Sequence, residues 1–80
     1  MDSRSDIEAR LFDARKERAF VRSRLGVLRR YRARRAAAGH ETDAVDSQID
    51  ALIPVLADWD TRVESLRDAA GRPSRARSSR

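Results

Sequence analysis

A repeat of apolar residues at alternating spacings of four and three occupies residues 45–70 and constrains the fold more than any other feature. Its members are Val45, Ile49, Leu52, Leu56, Trp59, Val63, Leu66 and Ala70. This spacing places every member on one narrow seam of an α-helix, at about 3.5 residues per turn. A strand, whose side chains alternate with a period of two, cannot use it. The repeat therefore predicts a helix that packs against a second helix.

The first half of the chain carries the same repeat, interrupted by arginines. Its members are Ile7, Leu11, Ala14, Arg18, Val21, Leu25, Leu28, Arg32 and Arg35. Gly39 suits the position just after a helix, and Gly71 followed by Pro73 is a stop signal. The predicted organisation is a polar lead (1–5), a first helix (6–38), a turn (39–42), a second helix (43–70) and a disordered basic tail (71–80).

The short turn predicts that the two helices run antiparallel, side by side. The fold class is then all-α, an antiparallel two-helix coiled-coil hairpin. Charge agrees with this pairing: residues 6–38 hold eleven basic and four acidic groups (net +7), whereas residues 43–70 hold two basic and seven acidic groups (net −5). Expected facing pairs are Leu25 with Leu56, Val21 with Trp59, Leu28 with Leu52, Ala14 with Leu66, and Arg22 with Asp60.

Pro54 lies inside the second predicted helix. It removes the hydrogen bond to the carbonyl of Asp50 and should bend the helix over residues 50–54. The seam places Pro54 on the outer side, which is compatible with a helix that curves convex toward solvent. We expect a kink there and an uninterrupted apolar seam.

Several large apolar residues lie off both seams, and a two-helix hairpin has only one interface in which to bury them. They are Phe12, Phe20, Val27, Tyr31, Ile53 and Val55. Among them Phe20, Val27 and Tyr31, at spacings of seven and four, form a second stripe beside the first seam, and Ile53 and Val55 flank the second seam. Exposed apolar stripes usually mark an interface. The sequence therefore predicts a protein-protein surface, used for a homo-oligomer such as a four-helix bundle or for docking on a larger assembly. The alternative is a wide seam with partly exposed aromatic side chains.

The chain has a net charge of +5, which indicates a polyanion as a second class of partner. We expect this partner to be a nucleic acid whose phosphate backbone the arginines contact. The candidate residues are Arg29, Arg30, Arg32, Arg34 and Arg35 in one run, and Arg72, Arg75, Arg77 and Arg80 in the tail. Phosphate contacts of this kind carry no sequence specificity. The alternatives are a solvated face that pairs with the acidic second helix, and an arginine bias from a GC-rich genome.

Residues that would carry chemistry are scarce. The chain has no cysteine and one histidine, His40, in the predicted turn. Asp43, Asp46 and Asp50 share one side of the second helix, but without a loop around an ion they more simply cap the helix and meet arginines. We expect no enzyme, no cofactor, no metal and no small-molecule substrate. With no apolar run of about 20 residues and no secretory signal, we expect a soluble cytoplasmic protein without a membrane partner.

Overall fold

The computed structural model describes residues 3–71 and consists of two helices in that range. Helix α1 spans Ser3–Ala37 and helix α2 spans Asp43–Gly71. They pack side by side and antiparallel, since the start of α1 touches the end of α2: Arg4 Nη2 donates to the carbonyl of Ala70 at 3.4 Å. The predicted all-α hairpin is confirmed.

Helix α1 begins three residues before the predicted start at Asp6. Arg4 supplies two reasons for the additional turn. Its guanidinium group lies 3.8 Å from the carboxylate of Glu8 one turn later, and it also reaches the last turn of α2. Contacts of the first kind favour an isolated helix by a few tenths of a kcal/mol, whereas the contact with α2 forms only in the hairpin.

The turn between the helices is closed by Gly39, as the sequence predicted. Gly39 has φ +80°, a left-handed conformation that a residue with a Cβ adopts only at a cost. The Gly39 amide donates to the carbonyl of Ala36 at 3.0 Å, and the His40 amide donates to that of Arg35 at 2.9 Å. This pair of bonds is the Schellman motif, which satisfies the last carbonyls of α1.

Helix α2 begins with an ordered first turn. The Asp46 amide donates to the carbonyl of Thr42 at 2.8 Å, and the Thr42 hydroxyl donates to the Asp46 carboxylate at 3.0 Å. Asp43 and Asp46 both lie in this turn, where the helix dipole favours negative charge. Thr42, whose carbonyl accepts this first helical hydrogen bond, therefore marks the boundary between turn and helix.

The core consists of eight buried apolar side chains, all on the two predicted seams: Leu11, Ala14, Val21, Leu25, Leu28, Val45, Ile49 and Val63. Seven of the eight divide into a cluster near the turn, which also contacts Leu52 and Leu56, and a cluster near the open end, which contacts Trp59 and Leu66. Val21 is buried but belongs to neither cluster, so it shares none with its expected partner Trp59. The expected partners Leu25 and Leu56, Leu28 and Leu52, and Ala14 and Leu66 fall in common clusters.

Pro54 lies inside an unbroken helix α2, and its side chain is exposed as the seam predicted. The seam passes it without interruption, since Leu52 and Leu56 both pack against the core cluster near the turn. The kink over residues 50–54 stays a prediction.

Candidate interaction surface

The helix pair has two lateral flanks, and one of them holds the interhelical ion pairs. Near the turn, Arg32 of α1 donates to the carboxylate of Asp46. Farther along, Arg22 and Arg18 both approach Asp60 Oδ1, each at 3.5 Å. The acidic partners of α2 are two heptads apart, so they form one row facing the basic helix. We call this side the ion-pair flank.

The pair between Arg22 and Asp60 was predicted from the fold of the hairpin, whereas the contribution of Arg18 was not. Arg18 interrupts the apolar seam, and its side chain is only 26% exposed. The Asp60 oxygen is buried between the two guanidinium groups and accepts no hydrogen bond from residues 3–71. Its stabilisation therefore comes from two nearby positive charges. The sequence feature that could have predicted the contact of Arg18 with Asp60 is an arginine at a seam position, opposite an acidic helix.

The opposite flank carries an open groove of about 830 Å³. Its lining includes Arg10, Asp13 and Glu17 from α1, and Trp59 and Arg62 from α2. Ala14 and Trp59 both line the groove, and Trp59 packs against the core cluster that contains Ala14. The Arg62 guanidinium stacks over the Trp59 ring at 5.1 Å, a cation-π contact at the edge of the core. We call this side the groove flank.

All six apolar side chains that the sequence assigned to an interface are exposed. Phe20 and Phe12 are the most exposed, at 68% and 63%, and the others range from 39% to 48%: Val27, Tyr31, Ile53 and Val55. The hairpin therefore leaves a large part of each side chain exposed, and cover by a partner stays a prediction.

Helical periodicity assigns four of these six side chains to the groove flank. Phe20 and Val27 lie one and two heptads after Asp13, and Tyr31 lies two heptads after Glu17. Val55 lines a small pocket together with Trp59 and Arg62, which also line the groove. Phe20, Val27, Tyr31 and Val55 thus border one face.

The remaining two side chains lie on the ion-pair flank. Ile53 is one heptad from both Asp46 and Asp60, so it belongs to the row of acidic partners. Phe12 lies one turn before Arg15, which is one heptad from Arg22. The sequence predicted a stripe of Phe20, Val27 and Tyr31 and assigned all six residues to protein contact, and the structure divides the six between two flanks.

Two of the three exposed aromatic rings carry a cation from their own helix. Lys16 lies over Phe12 at 5.7 Å, and Arg35 lies over Tyr31 at 5.8 Å. Within residues 3–71 no cation covers Phe20, which is also the most exposed large apolar side chain. Phe20 is therefore the strongest candidate for an anchor in a partner.

The arginine run at residues 29–35 is divided between internal and solvent-facing roles. Arg32 pairs with Asp46, and Arg35 Nε donates to the carbonyl of Glu41 at 2.9 Å. The other three arginines of the run form no ion pair within residues 3–71: Arg29, Arg30 and Arg34. The predicted polyanion contacts Arg72, Arg75, Arg77 and Arg80 lie outside the described residues.

The contact near the turn also shifts two pKa values. The hydrogen bond from Arg32, with a second from Thr42, lowers the pKa of the Asp46 carboxyl group below its ordinary value. The same hydrogen bond and the carboxylate charge raise the pKa of Arg32. Both shifts favour the ionised forms of Arg32 and Asp46. The contact between them joins the start of α2 to the end of α1.

A comparison of the chain with protein-family models, with curated proteins and with solved structures found no match. The surface features above are therefore the basis for any assignment of function. Within residues 3–71, no three histidine, cysteine, aspartate or glutamate side chains are grouped so that they could hold a metal ion. Neither helix in that range combines the length and apolar character needed to cross a membrane.

Proposed function

We propose that this chain is a small non-enzymatic interaction protein, a basic helical hairpin that oligomerises or docks on a larger protein assembly. The observation that carries the proposal is the exposure of Phe20 at 68%, in a row with exposed Val27 and Tyr31 on the groove flank. An apolar row that the hairpin cannot bury by itself is typical of a protein-protein interface.

The size of the core supports the same proposal. Eight buried apolar side chains, one of them an alanine, form the whole core of residues 3–71. Cores in chains of this length rarely supply more than about 3–5 kcal/mol unless a disulfide, a metal or a partner adds to them. The chain has no cysteine. A partner chain that covers the groove flank would add apolar burial where the hairpin lacks it.

Light-scattering mass after size exclusion, with circular dichroism, tests the proposal on nuclease-treated protein. We expect a discrete assembly that persists at high salt, because apolar contacts are not screened. Phe20→Arg should give a smaller particle or an unfolded chain. Phe12→Arg is the matched control, since Phe12 is almost equally exposed but lies on the ion-pair flank. A fully helical protein whose mass and helicity Phe20→Arg leaves unchanged would overturn the proposal.

A second candidate function is contact with a nucleic-acid backbone, without sequence specificity. Its support is the set of exposed arginines at the turn end of α1 that form no ion pair within residues 3–71: Arg29, Arg30 and Arg34. Guanidinium groups bind phosphate bidentately, and Tyr31 beside them offers one ring for base stacking.

The salt dependence of binding to duplex DNA tests this candidate. Each phosphate contact contributes about 0.9 to the slope of log affinity against log salt, with affinity falling as salt rises. Arg30→Ala should reduce that slope, whereas Arg32→Ala, which removes an arginine engaged by Asp46, should change it less. Binding that is absent at low salt, or equal slopes for both variants, would exclude the arginine run as the contact.

A further inference from the structure

The outer side of α1 carries a second row with the spacing of the buried seam. Residues 13, 17, 20, 24, 27, 31 and 34 alternate in steps of four and three, and each side chain is exposed. The row begins with two acids, Asp13 and Glu17, passes through the exposed apolar residues of the groove flank and ends with a base, Arg34. A row of this period forms a straight seam along a helix and can pack against another helix.

The row is self-complementary when it is read in the opposite direction. Its midpoint lies at Arg24, and reversal about that point exchanges Asp13 with Arg34 and Phe20 with Val27. The charged ends carry no competing internal contact, since Asp13 and Arg34 form no ion pair within residues 3–71. Both ends are therefore free to meet a copy of the same row.

We propose that the partner of this face is a second copy of the chain, packed antiparallel about a two-fold axis beside Arg24. In this arrangement Asp13 faces Arg34 of the second copy, and Phe20 faces its Val27. The inference rests on the proposed function and names the partner and the register. A two-fold interface uses the same patch on both chains, so every such contact occurs twice.

The remaining pair of positions in the row, Glu17 and Tyr31, is also complementary between the two copies. Glu17 faces Tyr31 of the second copy, whose hydroxyl can donate to the carboxylate. Parallel, in-register packing of the same row would instead place Asp13 against Asp13 and Arg34 against Arg34. The charge pattern therefore selects the antiparallel direction, because like charges in register oppose the parallel one.

Arg24 is the exception in the row, since the axis places its two copies close together. Their long side chains can diverge into solvent, so the repulsion is moderate. Replacement by an apolar side chain should remove that repulsion and fill the centre of the seam. Arg24→Leu is expected to lower the dimer dissociation constant by several-fold.

Charge exchange tests the pairing on the full chain, with sedimentation velocity at low salt as the measurement. We expect a dimer for the unmodified chain. Asp13→Arg and Arg34→Asp should each raise the dissociation constant about tenfold, because two-fold symmetry repeats each like-charge contact. An equimolar mixture of the two variants should form a 1:1 heterodimer with restored affinity, and high salt should reduce these differences.

Disulfide trapping gives a second readout that does not depend on charge. The chain has no cysteine, so one introduced thiol reports one position. Arg24→Cys should cross-link readily under mild oxidation, because two-fold symmetry brings position 24 close to its copy. Arg34→Cys is the control: antiparallel copies separate position 34 from itself by about 30 Å at 1.5 Å per residue. Equal cross-linking of both variants would indicate parallel packing and overturn the proposal.

The outcomes separate this inference from the proposed function. An assembly that Phe20→Arg dissolves but charge exchange leaves unchanged would overturn the antiparallel register and leave the interaction module standing. A poorly helical monomer would overturn self-pairing and favour docking on a different protein. A fully helical monomer that Phe20→Arg does not alter would overturn both.

Discussion

The Oδ1 atom of Asp60 lies 3.5 Å from the guanidinium group of Arg22 across the helix pair, and Arg18 approaches the same oxygen at the same distance. Arg18 occupies a position of the buried seam, where an unpaired charge would be unfavourable. Asp60 therefore provides the charge that allows an arginine within the apolar seam. The contact also aligns the two helices, since it joins their middle turns.

Removal of this carboxylate should destabilise the hairpin. We expect Asp60→Ala to lower the free energy of unfolding by about 1 kcal/mol, the upper part of the range for exposed pairs, because Asp60 is still 46% exposed. Asp58→Ala is the control, since Asp58 forms no ion pair within residues 3–71. Urea unfolding followed by circular dichroism measures both variants, and an equal effect of the two would contradict the role of Asp60.

Truncation of the buried seam should be far more damaging than truncation of an exposed apolar residue. Leu25 is 2% exposed at the centre of the cluster near the turn, so Leu25→Ala should cost about 2–3 kcal/mol. Ile53 is 46% exposed, and Ile53→Ala should cost well under about 1 kcal/mol. Thermal unfolding at one fixed protein concentration compares them. A larger loss in Ile53→Ala would mean that the ion-pair flank is covered by a partner.

The two glycines of the first half of the chain should respond oppositely to alanine. Gly39→Ala places a Cβ at φ +80° and should destabilise the turn by about 1 kcal/mol. Gly26 lies inside α1, where a Cβ would meet only the flexible tip of Arg30 at 3.6 Å. Gly26→Ala should therefore stabilise the helix by about 0.5–1 kcal/mol. Melting temperatures that move in the same direction for both variants would contradict the left-handed conformation of Gly39 or the open space around Gly26.

The contact between Arg32 and Asp46 should make stability depend on acidity. Hydrogen bonds lower the pKa of Asp46 in the folded chain below its ordinary value of 3.8. The stabilisation that this contact adds to the folded state is therefore complete above that value and is lost as the pH falls through the lowered pKa. Asp46→Asn should melt at a lower temperature than the unmodified chain at neutral pH, and the difference should shrink in strong acid.

Asp50→Asn is the reference for that comparison, because Asp50 is exposed on the same helix and forms no ion pair within residues 3–71. Its melting temperature should follow that of the unmodified chain across the same pH range. A difference in melting temperature between Asp46→Asn and the unmodified chain that does not change with pH would show that Asp46 acts through packing alone.

The sequence by itself determined the two helices, their antiparallel pairing and the residues that fill the core. The physical reason is periodicity: a seam repeated every 3.5 residues specifies a helix and its buried side without knowledge of the partner. The turn at Gly39 was likewise predictable, because the left-handed position just after a helix strongly favours glycine. The start of α1 was placed too late because Arg4 gains its contact with Ala70 only when the hairpin closes.

Only the tertiary structure decided which side of the helix pair each surplus side chain occupies. The sequence places Phe20, Val27 and Tyr31 on one stripe of α1, and this stripe lies on the flank opposite Phe12 once Asp60 marks one side of the helix pair and the groove beside Trp59 marks the other. The seam already directs Arg32 toward the second helix, but only the packing decided that its partner is Asp46, because a contact between two helices exists only after they have paired.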